Sequence, residues 1–205
     1  MRWTLKPQPE KEKVEKLAKE LQVNSTIASI LCQRNIETFE DAKNYFRPNL
    51  EQIHDPFLMK DMDVAVSRIE TAIANNENIL IYGDYDVDGT TAVSLVSSYL
   101  KTIYSNIATY IPDRYAEGYG VSYKGIDFAH DNDFSLIIAL DCGIKAIEKV
   151  AYATKKNIDF IICDHHKPGP EIPKAIAVLN AKRNDCTYPF DELCGCGVGF
   201  KLIQA

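Results

Sequence analysis

The chain has 205 residues, of which 46% are hydrophobic and 25% charged, and this balance predicts an ordinary globular protein. No apolar run approaches the ~20 residues that a membrane span requires, and residues 1–7 are too polar for a secretory signal. We therefore expect a cytoplasmic protein without a membrane anchor. The net charge of −6 is not the basic balance of a typical nucleic-acid binder, although two bound divalent cations would cancel four of these charges.

The first 50 residues predict a small helical segment. Residues 10–22 place apolar side chains at helical spacing, and Asn24 is a candidate N-cap for a second helix. Thr38 begins a third helix that should end near Pro48, before a linker. This segment is either a separate subdomain or a helical decoration of the main domain.

From about residue 60 to residue 205, short apolar strands alternate with helices of 10–15 residues. This alternation predicts an α/β domain with about five mostly parallel strands and helices on both faces. The predicted strands are 78–82, 107–111, 134–140, 158–163 and 175–179. The predicted helices are 63–74, 89–104, 122–130, 144–156 and one that begins at 197.

Acidic residues and histidines follow three of the predicted strands. The strand-end segments are 83–89 (GDYDVDG), 141–143 (DCG) and 164–166 (DHH). Because ligand sites in an open parallel sheet lie beyond the carboxyl ends of its strands, we expect these side chains to converge. Carboxylates held this close would repel one another unless cations were present, and oxygen mixed with imidazole suits divalent metals. The pattern therefore predicts a metal site of the kind that hydrolyses phosphoesters.

Other interpretations of the Asp-rich loop explain less. The loop that starts at Asp84 matches the first half of an EF-hand, but Leu95 stands where the calcium-binding Glu is needed. Asp86 to Thr90 also resembles the D-x-D-x-T loop of haloacid-dehalogenase-type phosphatases. That interpretation leaves the Asp-His-His triplet without a role.

The three segments, in this order and on strand ends, resemble the motifs of the DHH phosphoesterases. The form of segment 83–89 is similar to that of the family's single-strand DNA exonucleases. Segments 112–120 and 193–201 also resemble stretches of those enzymes. The resemblance covers roughly residues 50–205, and more loosely the helical front.

The resemblance implies a role for each motif residue. Two divalent cations, Mn²⁺ or Mg²⁺, would be held by Asp86, Asp88, Asp141 and His165, with Asp141 bridging them. His166 would face the scissile phosphate and act with Asp141 in catalysis. Asp84 and Asp164 would orient the ligands.

Three further residues are candidate contacts to phosphate or DNA. Thr90 and Thr91 begin the predicted helix after the loop, where free N–H groups favour a phosphate oxygen. Arg114 is either a clamp on a backbone phosphate or a member of a surface ion pair.

By this resemblance the expected function is metal-dependent hydrolysis of single-stranded DNA from the 5′ end, in DNA repair and recombination. The alternatives are hydrolysis of a small molecule or oligonucleotide by a DHH-type enzyme, and a regulatory domain with a decayed site. Family members carry a further metal-binding aspartate and a second domain, and neither is found before Ala205. We therefore interpret the chain as truncated at its C-terminus, and expect these residues alone to fold and to be inactive.

Overall fold

A computed structural model describes residues 3–205 and contains two compact units, one ending at Ile53 and the other spanning His54–Ala205. The first unit is helical. Its elements are α1 (Lys11–Leu21), α2 (Ser25–Cys32), α3 (Phe39–Phe46) and a 3₁₀ turn (Leu50–Gln52). Asn24 caps α2 by accepting the N–H of Ile27, and Thr38 caps α3, as their sequence positions predicted. A small core that includes Leu17, Ala28 and Leu31 holds the three helices together.

The second unit alternates helices and strands. A 3₁₀ turn (Pro56–Leu58) precedes its regular elements. These are α4 (Met62–Ala74), β1 (Asn78–Gly83), α5 (Val87–Leu100), β2 (Ile107–Tyr110), α6 (Tyr123–Asp131), β3 (Phe134–Leu140), α7 (Ile147–Lys155), β4 (Asp159–Cys163), β5 (Ala177–Leu179) and α8 (Gly195–Gln204). None of the helices in residues 3–205 combines the length and apolar character needed to cross a bilayer.

The five strands form one parallel sheet in the order β2-β1-β3-β4-β5, which confirms the predicted fold class. Alternate strand residues enter two cores. Ile79 and Ile81 pack in one core with residues of α4, α5 and α8, whereas Leu80 and Tyr82 pack in the other with residues of α6 and α7. Both faces of the sheet are therefore covered, as near-continuous apolar strands require.

Two helices near the strand ends differ from the predicted bounds for reasons that bear on the site. Helix α5 begins at Val87, two residues early, because the Asp86 side chain accepts the N–H groups of Asp88 and Gly89. Helix α7 begins at Ile147, three residues late. The N–H of Ile144, where the helix was predicted to begin, donates instead to Asp164.

Candidate metal centre

The candidate site lies at the carboxyl ends of the three central strands. Gly83 pairs with Leu140, and Leu140 pairs with Cys163, so β1, β3 and β4 end side by side. The three residues that follow these strands are Asp84, Asp141 and Asp164, all buried. Parallel pairing thus brings together side chains that are 57 and 23 positions apart in sequence.

Asp84 and Asp86 occupy the loop between β1 and α5. Both carboxylate oxygens of Asp84 are buried and have no hydrogen-bond partner among the described residues. Asp86 is exposed, and its Oδ1 caps α5. Oxygen atoms of Asp84, Asp86 and Asp141 lie within 4.8 Å of one another. With both oxygens free of partners in the described residues, Asp84 could itself hold a cation, and its predicted role as an orienting residue stays a prediction.

Gly89, the last residue of segment 83–89, is needed because the backbone at the start of α5 meets the backbone that follows β1. A Cβ on Gly89 would lie 2.5–2.8 Å from backbone atoms of Asp84. Any side chain at this position would therefore push the start of α5 away from the end of β1. The close approach keeps the Asp-rich loop compact at the strand end.

Asp141 is the most electrostatically perturbed member of the cluster. It is 1% exposed, and its Oδ1 accepts no hydrogen bond, although His165 Nε2 lies 3.2 Å away. Burial raises the pKa of Asp141 to about 8, and the negative charges of Asp88 and Asp86 add to the shift. A carboxylate held in this way is a strong candidate for a cation ligand.

The two histidines that follow β4 have different surroundings. His165 Nε2 faces Asp141, whereas His166 is held through both ring nitrogens. His166 Nδ1 lies 2.7 Å from Asp164 Oδ1, and His166 Nε2 lies 3.2 Å from the hydroxyl of Tyr119. Nitrogen atoms of both histidines and an oxygen of Asp141 also lie within 4.8 Å of one another.

Asp164 has the contacts of an orienting residue. Its Oδ1 accepts the backbone N–H groups of His165 and His166 as well as the His166 ring, and its Oδ2 accepts the N–H of Ile144. With every oxygen occupied, Asp164 fixes the start of the histidine loop and the position of the His166 ring. Its role toward a bound metal stays a prediction.

Asp88 has a structural contact that the sequence did not reveal. Its carboxylate accepts the N–H of Gly195 at 2.7 Å and the N–H of Cys196 at 2.8 Å, in the first turn of α8. Asp88 lies outside the two clusters of potential ligands, and its Oδ2 is 3.8 Å from His165 Nε2. Its predicted role as a metal ligand remains untested, and in this structure it anchors α8.

Thr90 and Thr91 do not lie at the very start of α5, where the sequence placed them, and their contact to phosphate stays a prediction. Because α5 begins at Val87, the N–H of Thr90 already donates to the carbonyl of Asp86. The hydroxyls of both threonines also donate to main-chain carbonyls, those of Asp86 and Val87. Neither residue therefore offers the free groups on which the prediction depended.

Arg114 is exposed at the rim of the site and has no ion pair within the described part of the chain. Its guanidinium carbon lies 5.3 Å from the ring centroid of Tyr85, and Tyr85 meets Tyr119 edge to face at 6.2 Å. Arg114 is thus part of a row of aromatic and cationic side chains that leads to His166. Its contact to phosphate stays a prediction.

Sequence reasoning missed Tyr119, Asn180 and Gly195. Asn180 is fully buried and donates to the carbonyl of His166. A Cβ on Gly195 would collide with the Asp141 carboxylate. Tyr119 and Gly195 lie in the segments 112–120 and 193–201 that resemble the exonucleases. The resemblance therefore pointed to both segments, but it gave no role to either residue.

Comparison with known proteins identifies the motifs as those of one family. The sequence profile of the "DHH family, N-terminal domain" matches residues 78–205. The single-stranded-DNA-specific exonuclease RecJ of Bacillus subtilis (strain 168) is 42% identical over 205 residues, which is 100% of this chain and 26% of that protein.

Two solved structures share the fold. The crystal structure of exonuclease RecJ bound to manganese is 29% identical, with a TM-score of 0.63 over 71% of this chain and 37% of that one. RecJ from Thermus thermophilus in complex with Mn²⁺ is 22% identical, with a TM-score of 0.74 over 96% of this chain and 27% of that one. The second likeness is evidence of fold alone.

The chain spans about a quarter of the length of the curated relatives it matches. The matched profile extends from β1 to α8 and includes all three strand-end motifs. The chain belongs to the DHH family.

Proposed function

We propose that this chain forms the metal-binding, catalytic part of an exonuclease that hydrolyses single-stranded DNA. The observation that carries the proposal is the set of buried oxygens of Asp84 and Asp141 that lack partners beside His165. A buried carboxylate without a hydrogen bond or counter-charge is costly, and a divalent cation supplies the missing partner. The donor set therefore fits the metal that the motifs imply.

Asp84, Asp86, Asp141 and His165 would hold two divalent cations, with Asp88 available as a further oxygen donor. Carboxylates mixed with imidazole suit Mn²⁺ and tolerate Mg²⁺, and the manganese in the RecJ structure that is 29% identical supports the same assignment. When bound, the cations would lower the pKa of a water molecule and offset negative charge on the phosphate.

The remaining residues of the site would position the DNA. Asp164 fixes the His166 ring by accepting from Nδ1, so that Nε2, which now meets the Tyr119 hydroxyl, can donate to a phosphate oxygen when both ring nitrogens carry a proton. Burial and the surrounding carboxylates raise the pKa of Tyr119, so its hydroxyl stays protonated. At the rim, Tyr85 and Arg114 offer a ring and a cation to an unpaired base and its phosphate.

The substrate assignment is supported by RecJ, whose name specifies single-stranded DNA. Digestion from the 5′ end, a role in DNA repair and recombination, and a cytoplasmic location are proposed from the resemblance of the motifs. The inactivity expected of the 205 residues alone also stays a prediction.

The test uses the complete gene product with single-stranded and blunt duplex oligonucleotides labelled at either end, in Mn²⁺ or in EDTA. We expect Mn²⁺-dependent shortening of the single strand from its 5′ end, with duplex DNA largely intact and no activity in Asp141→Asn. Equal rates on both substrates would refute the preference for single strands. Hydrolysis of pyrophosphate or dinucleotides, with no cleavage of longer DNA, would favour the small-molecule alternative.

A further inference from the structure

A cavity of about 210 Å³ adjoins the candidate metal centre. It shares Asp164 and His166 with that centre, and its other walls include Tyr119, Gly143, Lys145 and Lys149. We call it the lysine cavity. It is smaller than the ~300–1,000 Å³ of a typical small-molecule site, and a water molecule takes up about 30 Å³. It therefore has room for a phosphate group with bound waters.

The charge balance of the lysine cavity favours an anion. Lys145 is exposed and Lys149 half-buried, and neither forms an ion pair within residues 3–205. The carboxylate in the lining belongs to Asp164, whose two oxygens are already occupied by backbone N–H groups and by the His166 ring. Two lysines without an ion pair in the described residues thus share the lining with one carboxylate, which already accepts four hydrogen bonds.

The lysine cavity also offers positive charge to a DNA strand in a chain whose net charge is negative. A chain of net charge −6 with an acidic cluster at its active edge repels a polyanion at long range. Two bound divalent cations would cancel four of these six charges and still leave the chain net negative. Lys145 and Lys149 line the same cavity as His166, so they place positive charge on that side of the site.

We propose that the lysine cavity binds the phosphate next to the scissile one, with Lys145 and Lys149 as its ligands. This inference rests on the proposed function, because it takes the anion to be a DNA strand. His166 lines the cavity and belongs to the metal centre, and Tyr119 in the cavity wall lies 3.2 Å from its Nε2, so a phosphate at His166 leads directly into the cavity. The two lysines then fix the register of the strand, and base identity plays no part in the contact.

The test measures binding of a single-stranded phosphorothioate oligonucleotide, which resists cleavage, to the complete gene product in Mn²⁺ over a range of salt concentrations. The double variant Lys145→Gln/Lys149→Gln is compared with Lys155→Gln. Lys155 is an exposed lysine at the other end of α7 that also lacks an ion pair in the described residues. Thermal melts verify that all variants fold.

We expect the double variant to bind at least about tenfold more weakly at low salt. The slope of log K against log salt should also fall by about 0.7, since the two lysines together neutralise one phosphate and each neutralised phosphate of a single strand contributes ~0.7. Lys155→Gln should match the wild type.

Each other outcome overturns the inference in a recognisable way. A double variant with the affinity and salt slope of the wild type would refute the role of the lysine cavity in binding the strand. The proposed function would not be affected by that result, provided that the wild type binds single-stranded DNA. A wild type that neither bound nor cleaved single-stranded DNA would refute both. A second arm uses thymidine monophosphate. If the double variant lost affinity for the monophosphate alone, the cavity would serve free nucleotide and the inference would be wrong.

Discussion

The carboxylate of Asp88 accepts the backbone N–H of Gly195 at 2.7 Å, although the two residues are 107 positions apart in sequence. The contact joins the first turn of α5 to the first turn of α8. A carboxylate at a helix N-terminus satisfies N–H groups that have no partner within the helix and complements the helix dipole. One motif aspartate therefore holds a second helix against the metal site.

Loss of this anchor should lower stability. We expect Asp88→Ala to cost ~0.5–2 kcal/mol, as other lost helix caps do. For a unit of this size, each kcal/mol corresponds to about 2–4 °C in Tm. Thermal unfolding in EDTA measures the effect without a metal contribution. Asp191→Ala is the control, because Asp191 is exposed and makes no hydrogen bond or ion pair in the described residues. An Asp88 variant as stable as this control would show that the anchor contributes nothing.

A methyl group at Gly195 should displace the carboxylate of Asp141, a candidate metal ligand. The added Cβ would collide with the carboxylate of the buried Asp141, which must then move. We expect Gly195→Ala to weaken Mn²⁺ binding by roughly 10–100-fold, the loss typical of disturbed ligand support. Calorimetric titration of Mn²⁺ measures it. In Gly197→Ala the new Cβ would have its nearest neighbour, Leu193, at an ordinary 3.4 Å, so this variant should bind as the wild type does.

The metal-free protein should become less stable as pH rises from about 4 to about 8. In the folded state burial raises the pKa of Asp141 to about 8, whereas the unfolded chain ionises near 3.8. Between these values the folded state holds the proton and the unfolded state does not, so this group destabilises the fold by up to ~1.4 kcal/mol per pH unit. Thermal melts in EDTA should show a weaker decline in Asp141→Asn, and an identical decline would contradict the assignment.

The same group should make metal binding depend on pH in the opposite direction. Mn²⁺ requires the ionised carboxylate, so binding releases the proton that Asp141 holds. Affinity should rise with pH by up to about tenfold per unit and level off above pH 8. Titrations at pH 7 in two buffers of different ionisation enthalpy would reveal the released proton. A heat that was the same in both buffers would show that Asp141 is already ionised in the metal-free protein.

The parallel sheet and its edge were predictable because they depend on local patterns. Apolar strands alternate with helices, and the polar residues that follow each strand must meet at its carboxyl end. Contacts between distant loops were not predictable in this way. No periodicity links Asp88 to α8 or Tyr119 to His166, since both contacts depend on how the chain crosses the sheet edge. The difference in the start of α5 has a local cause, because the Asp86 cap moved it by two residues.

The two ring nitrogens of His166 suggest different roles for its neighbours. Nδ1 contacts Asp164, which sets the position of the ring, and Nε2 contacts the Tyr119 hydroxyl. If Nε2 donates to the scissile phosphate, His166→Ala should cut turnover by about 10²–10³-fold, as loss of one such donor does elsewhere. Most of the Mn²⁺ affinity should remain, because Asp84, Asp86, Asp141 and His165 still supply ligands.

Tyr119→Phe distinguishes the contribution of the Tyr119 ring from that of its hydroxyl. It keeps the aromatic contact with Tyr85 and removes the hydrogen-bond partner of His166 Nε2. We expect unchanged Mn²⁺ affinity and a loss of turnover smaller than in His166→Ala, since Asp164 still holds the ring. Single-turnover cleavage of labelled single-stranded DNA by the complete gene product, beside calorimetric Mn²⁺ titration, separates the two effects. Because a His166 nitrogen also lies in the cluster with Asp141 and His165, loss of Mn²⁺ binding in His166→Ala would identify His166 as a metal ligand and refute this division of roles.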